Sequence, residues 1–319
     1  MKYIGSFILL FGSLLSPSKA SAQQSSAGAL LQDMRHSVQT FAYELAFINL
    51  SQQFLIPLRY RHAIIDNQSI AQIIQMDSTR REIVQRGNQI SYYESGLDSF
   101  SLRGNHIVDY LPPIIFADFF RLQKFYNLID AGSTHVGDHP VHFVRIIPKD
   151  SDRYNYNLLI DKKSYLPLFI ELFDQEEMMV VEQFRVVSSR VNDEIKQELR
   201  AIVDLKLPPM LVIPESAGKM KFDWKVGKLP EGFKEISRNR NWLSKTELLE
   251  SIMYSDGLFS FSVNVVNTGA KVADEPLYRQ GRRTVYTVSK GKNSIAVIGE
   301  LPLATIKQIA ASVTFVGNN

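Results

Sequence analysis

Histidines, carboxylates and arginines carry whatever site chemistry this chain has, because it contains no cysteine. Thiolate catalysis and zinc–cysteine sites are thereby excluded. The densest metal-type group is His135, Asp138, His139 and His142. Zinc prefers nitrogen ligands on a tight scaffold. Pro140 separates His139 from His142, however, and side chains three apart in a strand point to opposite faces. These read as surface and edge-strand histidines, so no metal and no other cofactor is expected. Glu176 and Glu177 adjoin in the turn-like run Asp174-Gln175-Glu176-Glu177. A glycosidase pair must face each other across the substrate, whereas neighbours in a turn are solvated. The chain has no Gly-x-Ser-x-Gly elbow, HExxH, phosphate loop or dinucleotide fingerprint. An enzyme is therefore not expected, and an exported hydrolase is the weakest reading.

Two groups point to binding instead. Arg238 and Arg240 flank Asn239, and Arg279, Arg282 and Arg283 cluster ahead of a strand. The planar guanidinium fork suits a carboxylate or phosphate, so these five are candidates for an acidic peptide or a phosphorylated lipid headgroup, with a solvated basic surface as the ordinary alternative. Ile114, Ile115, Phe116, Phe119 and Phe120 follow Pro112-Pro113 and are too densely apolar for an exposed loop. Proline favours a helix start, so a short helix is expected there. It could be a lid over an acyl-chain cleft, or ordinary core.

The elements that must position these residues are mostly strands. A first helix, capped by Ser25 or Ser26, carries Leu30, Leu31, Met34, Val38 and Phe41 at helical spacing. Strands are expected over 41–50, 58–64, 80–86, 89–93, 98–102, 141–147, 154–160, 168–173 and 178–187, with weak helical character over 193–205. Many strands and few helices predict a large curved antiparallel sheet with helices covering its concave face. The prolines at 208, 209 and 214 mark residues 206–217 as a linker. Beyond it, Phe259, Phe261, Val263 and Val265 alternate with Ser260, Ser262 and Asn264. Further strands at 283–289 and 294–298 and a helix after Pro302 complete a small two-layer α+β unit. The expected division is 23–205, 206–217 and 218–319.

Residues 1–22 read as a cleavable signal peptide. Lys2 gives the positive start, Ile4 to Leu15 the apolar run, and Ala20-Ser21-Ala22 the small-residue pattern before a cut between Ala22 and Gln23. The run is shorter than the ~20 residues of a membrane span, so a soluble periplasmic product is expected. The net charge of +3 from 36 basic and 33 acidic residues falls to +1 without Lys2 and Lys19. Nucleic-acid binding, which needs a basic face, is not expected.

The run Arg153-Tyr154-Asn155-Tyr156-Asn157-Leu158-Leu159-Ile160-Asp161, with Leu166-Pro167-Leu168 and Asp174 after it, resembles the Tyr…Ile-Asp…Leu-Pro-Leu…Asp pattern of the LolA/LolB lipoprotein-carrier fold. More specifically, residues Leu58 to Ala63, Arg80 to Asn88, Tyr254 to Val265, Gly281 to Val285 and Val297 to Pro302 are similar to the RseB/MucB family of periplasmic regulators of the sigma-E stress response. The resemblance implies a LolA-like open barrel followed by a small domain that binds the periplasmic part of the anti-sigma factor RseA. It further implies that RseA is thereby shielded from the site-1 protease DegS, and that lipopolysaccharide or mislocalised lipoprotein releases it. Self-association is implied as well. A lipoprotein carrier or chaperone, using the sheet's cleft alone, is the alternative. A carrier has no need of residues 218–319.

Overall fold

The computed structural model describes residues 18–51, 55–76, 81–211, 220–267 and 278–316, and the side chains of the first helix from Ala27 onward. Lys2, the apolar run to Leu15, Pro17, Arg80 and the Ile213-Pro214-Glu215 part of the linker lie outside the described residues.

Eleven strands form one antiparallel sheet: β1 (Tyr43–Ser51), β2 (Leu55–Ile65), β3 (Gln68–Gln75), β4 (Arg81–Arg86), β5 (Gln89–Glu94), β6 (Phe100–Arg103), β7 (Tyr126–Val136), β8 (His139–Pro148), β9 (Asn155–Asp161), β10 (Pro167–Asp174) and β11 (Met179–Val191). The order β6-β5-β4-β3-β2-β1-β11-β10-β9-β8-β7 consists of two meanders joined where β1 pairs with β11. The sheet stays open, with β6 and β7 as its edges.

Helices cover both faces rather than one. Helix α1 (Ser18–Thr40) lays Leu31, Met34 and Val38 against Tyr43, Phe47, Tyr60 and Ile73, all at most 2 % exposed. Its backbone is already helical at Ser18, so Ser25 and Ser26 lie inside it instead of capping it. Alanines at 20, 22 and 27 favour that continuation. The expected cleavage point, Ala22–Gln23, falls within it too. Helix α3 (Glu194–Val203) buries Ile195, Leu199 and Ile202 on the opposite face, against Ala63, Ile65, Ile70 and Val84. In β2 this leaves Ala63 0 % exposed under α3.

The expected lid helix is two separate pieces, a 3-10 turn (Pro113–Phe116) and the single-turn helix α2 (Phe119–Leu122), which Asp118 caps through the Arg121 N–H. Ile114, Ile115 and Phe119 are core, at 0 %, 2 % and 1 % exposure. Phe116 is half-buried against the core, and Phe120 is 69 % exposed.

The smaller unit has a six-stranded sheet, ordered β13-β14-β15-β18-β17-β16, from β13 (Lys234–Trp242), β14 (Leu248–Ser255), β15 (Ser260–Asn267), β16 (Tyr278–Gln280), β17 (Arg283–Lys290) and β18 (Asn293–Gly299). Helix α4 (Leu303–Ser312) packs Ile306 and Ile309 on it. A two-stranded ladder of β12 (Trp224–Val226) and β19 (Val313–Phe315) closes the end. Val313 follows the helix directly and begins β19. Phe259, Phe261, Val263 and Val265 are at most 4 % exposed, as their alternation requires. Burying a side chain of this size contributes about 2 kcal/mol.

The described start of the expected linker is not a free tether. The Ser101 N–H donates to the Pro209 carbonyl at 2.9 Å, and the Leu211 N–H donates to the Ser101 carbonyl at 2.8 Å. The segment thus covers the β6 edge, which would otherwise offer an unpaired strand.

Candidate functional site

The two sheets meet along β7, β9, β10 and β11 on one side and the loops around β15, β16 and β18 on the other. Their apolar core is continuous through Phe259, whose ring stacks on Tyr156 at 5.7 Å and meets Tyr154 edge-on at 6.1 Å. The approach is close enough to require glycine at 232, where φ is +86° and a Cβ would stand 2.8 Å from the Phe125 ring.

Arginines carry the polar contacts of this junction. Arg153, just before β9, donates from Nε to Asp256 Oδ2 at 2.9 Å, and the Tyr126 hydroxyl donates to the same oxygen at 2.6 Å. The other oxygen of Asp256 accepts the Leu258 and Phe259 N–H groups, each at 2.8 Å. Arg153 also pairs with Asp150, donates to the Glu231 carbonyl, and lies over the Phe233 ring at 5.1 Å. Both ionised side chains are 0 % exposed. Charges this deep persist only when paired and hydrogen-bonded, and here the carboxylate accepts four bonds. Burial, reinforced by the Asp256 charge, pushes the Tyr126 hydroxyl well above its ordinary value.

Arg279 on β16 reaches Asp174 at 3.3 Å and Glu177 on the large sheet, and its Nη2 donates to the Tyr154 hydroxyl at 3.3 Å. Arg282 donates from Nε to Glu300 at 2.9 Å and reaches Glu182 on β11 at 3.4 Å. Burial raises the Glu182 carboxyl above its ordinary value; the Arg282 charge opposes this and the Glu300 charge adds to it. Beside this triad lies a cavity of about 670 Å³. Val108, Tyr110 and Arg81 border it from the large sheet, and Phe259, Arg282 and Arg283 from the small one. The size suits a small ligand or a short peptide segment.

Residues 26–208 match the family model described as MucB/RseB N-terminal domain, and residues 218–314 match MucB/RseB C-terminal domain. This chain belongs to the MucB/RseB family. Among MucB/RseB proteins, it is similar to the sigma-E factor regulatory protein RseB of Escherichia coli K12, with 44 % identity over 96 % of each chain. The protein of the same name from Haemophilus influenzae is 34 % identical over 97 % of this chain and 98 % of its own. In three dimensions the chain is similar to MucB in the crystal structure of MucB in complex with MucA(peri), with a TM-score of 0.70 and 21 % identity over 92 % of this chain and all of that one. The open eleven-strand sheet with a second, smaller sheet is therefore a MucB/RseB architecture.

In this MucB/RseB chain the five arginines do not form one patch. Arg238 and Arg240 sit on β13, paired with Glu235 at 2.8 Å and with Glu250, and both lie over the Phe222 ring. Arg279 and Arg282 tie the two sheets together. Arg283, exposed on β17, borders the cavity, and among the described residues no carboxylate partners it. Arg279 meets Asp174, Glu177 and Tyr154, and Arg282 meets Glu182 and Glu300; the separate buried group of Arg153, Asp256 and Tyr126 is not among the binding candidates that the sequence offers. Arg153 opens the run that resembles the lipoprotein-carrier pattern, and Asp256 lies in the Tyr254 to Val265 run that resembles the MucB/RseB family. Nothing in the spacing linked them across 103 residues.

The metal-type group disperses along the β7–β8 hairpin. His135 pairs with Pro140 in the ladder, His139 Nδ1 lies 3.4 Å from Asp161, and His142 stacks on Tyr165 at 6.2 Å. Glu176 and Glu177 cap the β10–β11 turn, their N–H groups donating to Asp174 at 3.0 and 3.2 Å. Among the described residues no helix is long and apolar enough to cross a membrane.

Proposed function

We propose that this chain is a periplasmic negative regulator of sigma-E activity. It binds the periplasmic domain of an RseA-type anti-sigma factor and shields it from site-1 proteolysis. Lipopolysaccharide or mislocalised lipoprotein acyl chains release that hold. The carrying observation is the 44 % identity with a sigma-E factor regulatory protein through both sheets of the chain. Domain boundaries at 23–205 and 218–319, with export by cleavage after Ala22, accompany this reading. Self-association, implied by the resemblance, belongs to the same proposal.

Within that reading the partner-facing cation is Arg283. Arg238, Arg240, Arg279 and Arg282 each already hold a carboxylate of this chain, so an acidic partner would have to displace it. A carrier that works through the sheet's cleft is not favoured. The face that would form its cleft is filled by Leu31, Met34, Val38, Ile114 and Phe119.

The test is calorimetric titration of the chain from Gln23 onward with the periplasmic segment of the anti-sigma factor, followed by lipopolysaccharide. Binding that weakens on adding lipopolysaccharide is expected. A folded chain that gives no heat with that segment would sink the regulatory reading.

A further inference from the structure

The polar contacts of the junction differ in what they would lose if the sheets parted. Arg153 and Asp256 are sealed at 0 % exposure among Tyr126 and Phe233. Separating them would strand two charges in apolar surroundings. Arg279 and Arg282 stand at the rim, 16 % and 21 % exposed, the second on the wall of the 670 Å³ cavity. Arg282 keeps a partner on its own side, because Glu300 lies nearer, at 2.9 Å, than Glu182 across the boundary at 3.4 Å. The acceptors of Arg279 are also provided for. Asp174 keeps the Glu176 and Glu177 N–H groups, and Glu177, 38 % exposed, can be solvated.

Both arginines belong to one short segment at the edge of the small sheet, around the left-handed Gly281 at φ +54°. We infer that residues 278–283 are a releasable clasp: Arg279 and Arg282 part from Asp174, Glu177 and Glu182 while Arg153 and Asp256 stay joined as the pivot, and the cavity between the sheets widens. The groups facing Glu182 set the sign of the effect. Arg282 attracts it, Asn49 donates to it, and Glu300, Tyr156 and Asp256 surround the same pocket of charge. Glu182 and Glu300 are like charges on opposite sides of the boundary, held by one guanidinium. Its removal leaves them repelling. This inference goes beyond the regulatory reading, and its test uses no partner.

The chain has no cysteine, so spin labels at Ser133→Cys on β7 and Asn241→Cys on β13, both exposed, report the distance between the sheets by pulsed electron resonance. The parent should give one dominant distance at low salt. In Arg279→Gln with Arg282→Gln, the longer-distance population should rise about tenfold from its minor level. Salt near ~1 M should shift the parent the same way, since rim charges are screened. Adding Glu182→Gln to the double variant should restore part of the closed population, an effect that merely lost packing would not show. An unchanged distribution in a double variant with the parent's circular dichroism and melting would overturn the clasp. Should that variant not fold, an unchanged parent distribution between low and high salt would overturn it equally.

Discussion

Arg153 Nε meets Asp256 Oδ2 at 2.9 Å, joining two sheets across 103 residues of chain with neither side chain exposed. Removing one partner leaves the other charge buried and alone. Asp256→Ala should therefore cost about 3–5 kcal/mol, read as a lowered denaturation midpoint. Replacing both, as Arg153→Met with Asp256→Leu, should cost less than Asp256→Ala, because no lone charge remains. Equal costs would assign the effect to the lost Leu258 and Phe259 hydrogen bonds instead.

His62 gives the fold a pH dependence. It is 4 % exposed on β2, with ring nitrogens 2.9 Å from the Phe41 carbonyl and 3.1 Å from the Ser69 hydroxyl. Burial pushes its pKa down to about 4, against about 6.5 in the unfolded chain. Between those values the unfolded chain takes up a proton that the folded chain refuses. The contribution of neutral His62 is thus complete above pH 6.5 and is lost as the pH falls toward 4, by about 3 kcal/mol in all. Urea unfolding across that range should show this slope in the parent and lose that part of it in His62→Gln.

The sequence made much of the fold legible because so many strands are half-buried. Period-2 alternation at Phe259 to Val265 comes from one face on the core and one toward water. Strand β3 escaped notice because Ile70 and Ala71 are buried on opposite faces, one under α3 and one under the α1 side, which erases the alternation. Strand β7 was missed for the opposite reason. Its outer half, Ala131 to His135, is exposed on both faces and carries no apolar rhythm.

The site was legible in residue type but not in partnership. Arg282 looked like a surface cation for an outside partner because its acceptors, Glu182 and Glu300, come from β11 and from the end of β18. Which carboxylate a guanidinium meets is decided by how two sheets dock. No local spacing encodes that. The apolar run Ile114 to Phe120 was legible in part, with Ile114, Ile115 and Phe119 in the core. Its composition signalled burial, yet the break at Ala117-Asp118 sends Phe119 inward and Phe120 out.

That split gives a direct comparison of neighbours. Phe119→Ala removes a ring from the core and should destabilise by about 3–5 kcal/mol. Phe120→Ala at 69 % exposure should stay within about 0.5 kcal/mol of the parent. Denaturant melts of both variants suffice. A large cost at Phe120 would mean that its ring is covered in solution by something other than the core seen here.

Arg283 separates partner binding from folding. Its side chain is exposed on β17 at the cavity, so Arg283→Glu should change stability by no more than about 0.5 kcal/mol. If an acidic partner docks there, reversal should weaken binding about tenfold, mostly through slower association, with the deficit shrinking as salt rises. Arg238→Glu is the contrasting variant. It breaks the pair with Glu235, the bond to the Met220 carbonyl and the stacking on Phe222, so it should lower stability with or without a partner. Parallel melts and titrations of the two variants decide the matter. Binding unaffected by Arg283→Glu, in a chain as stable as the parent, would leave Arg283 a solvated surface charge and move the partner's contact elsewhere on the molecule.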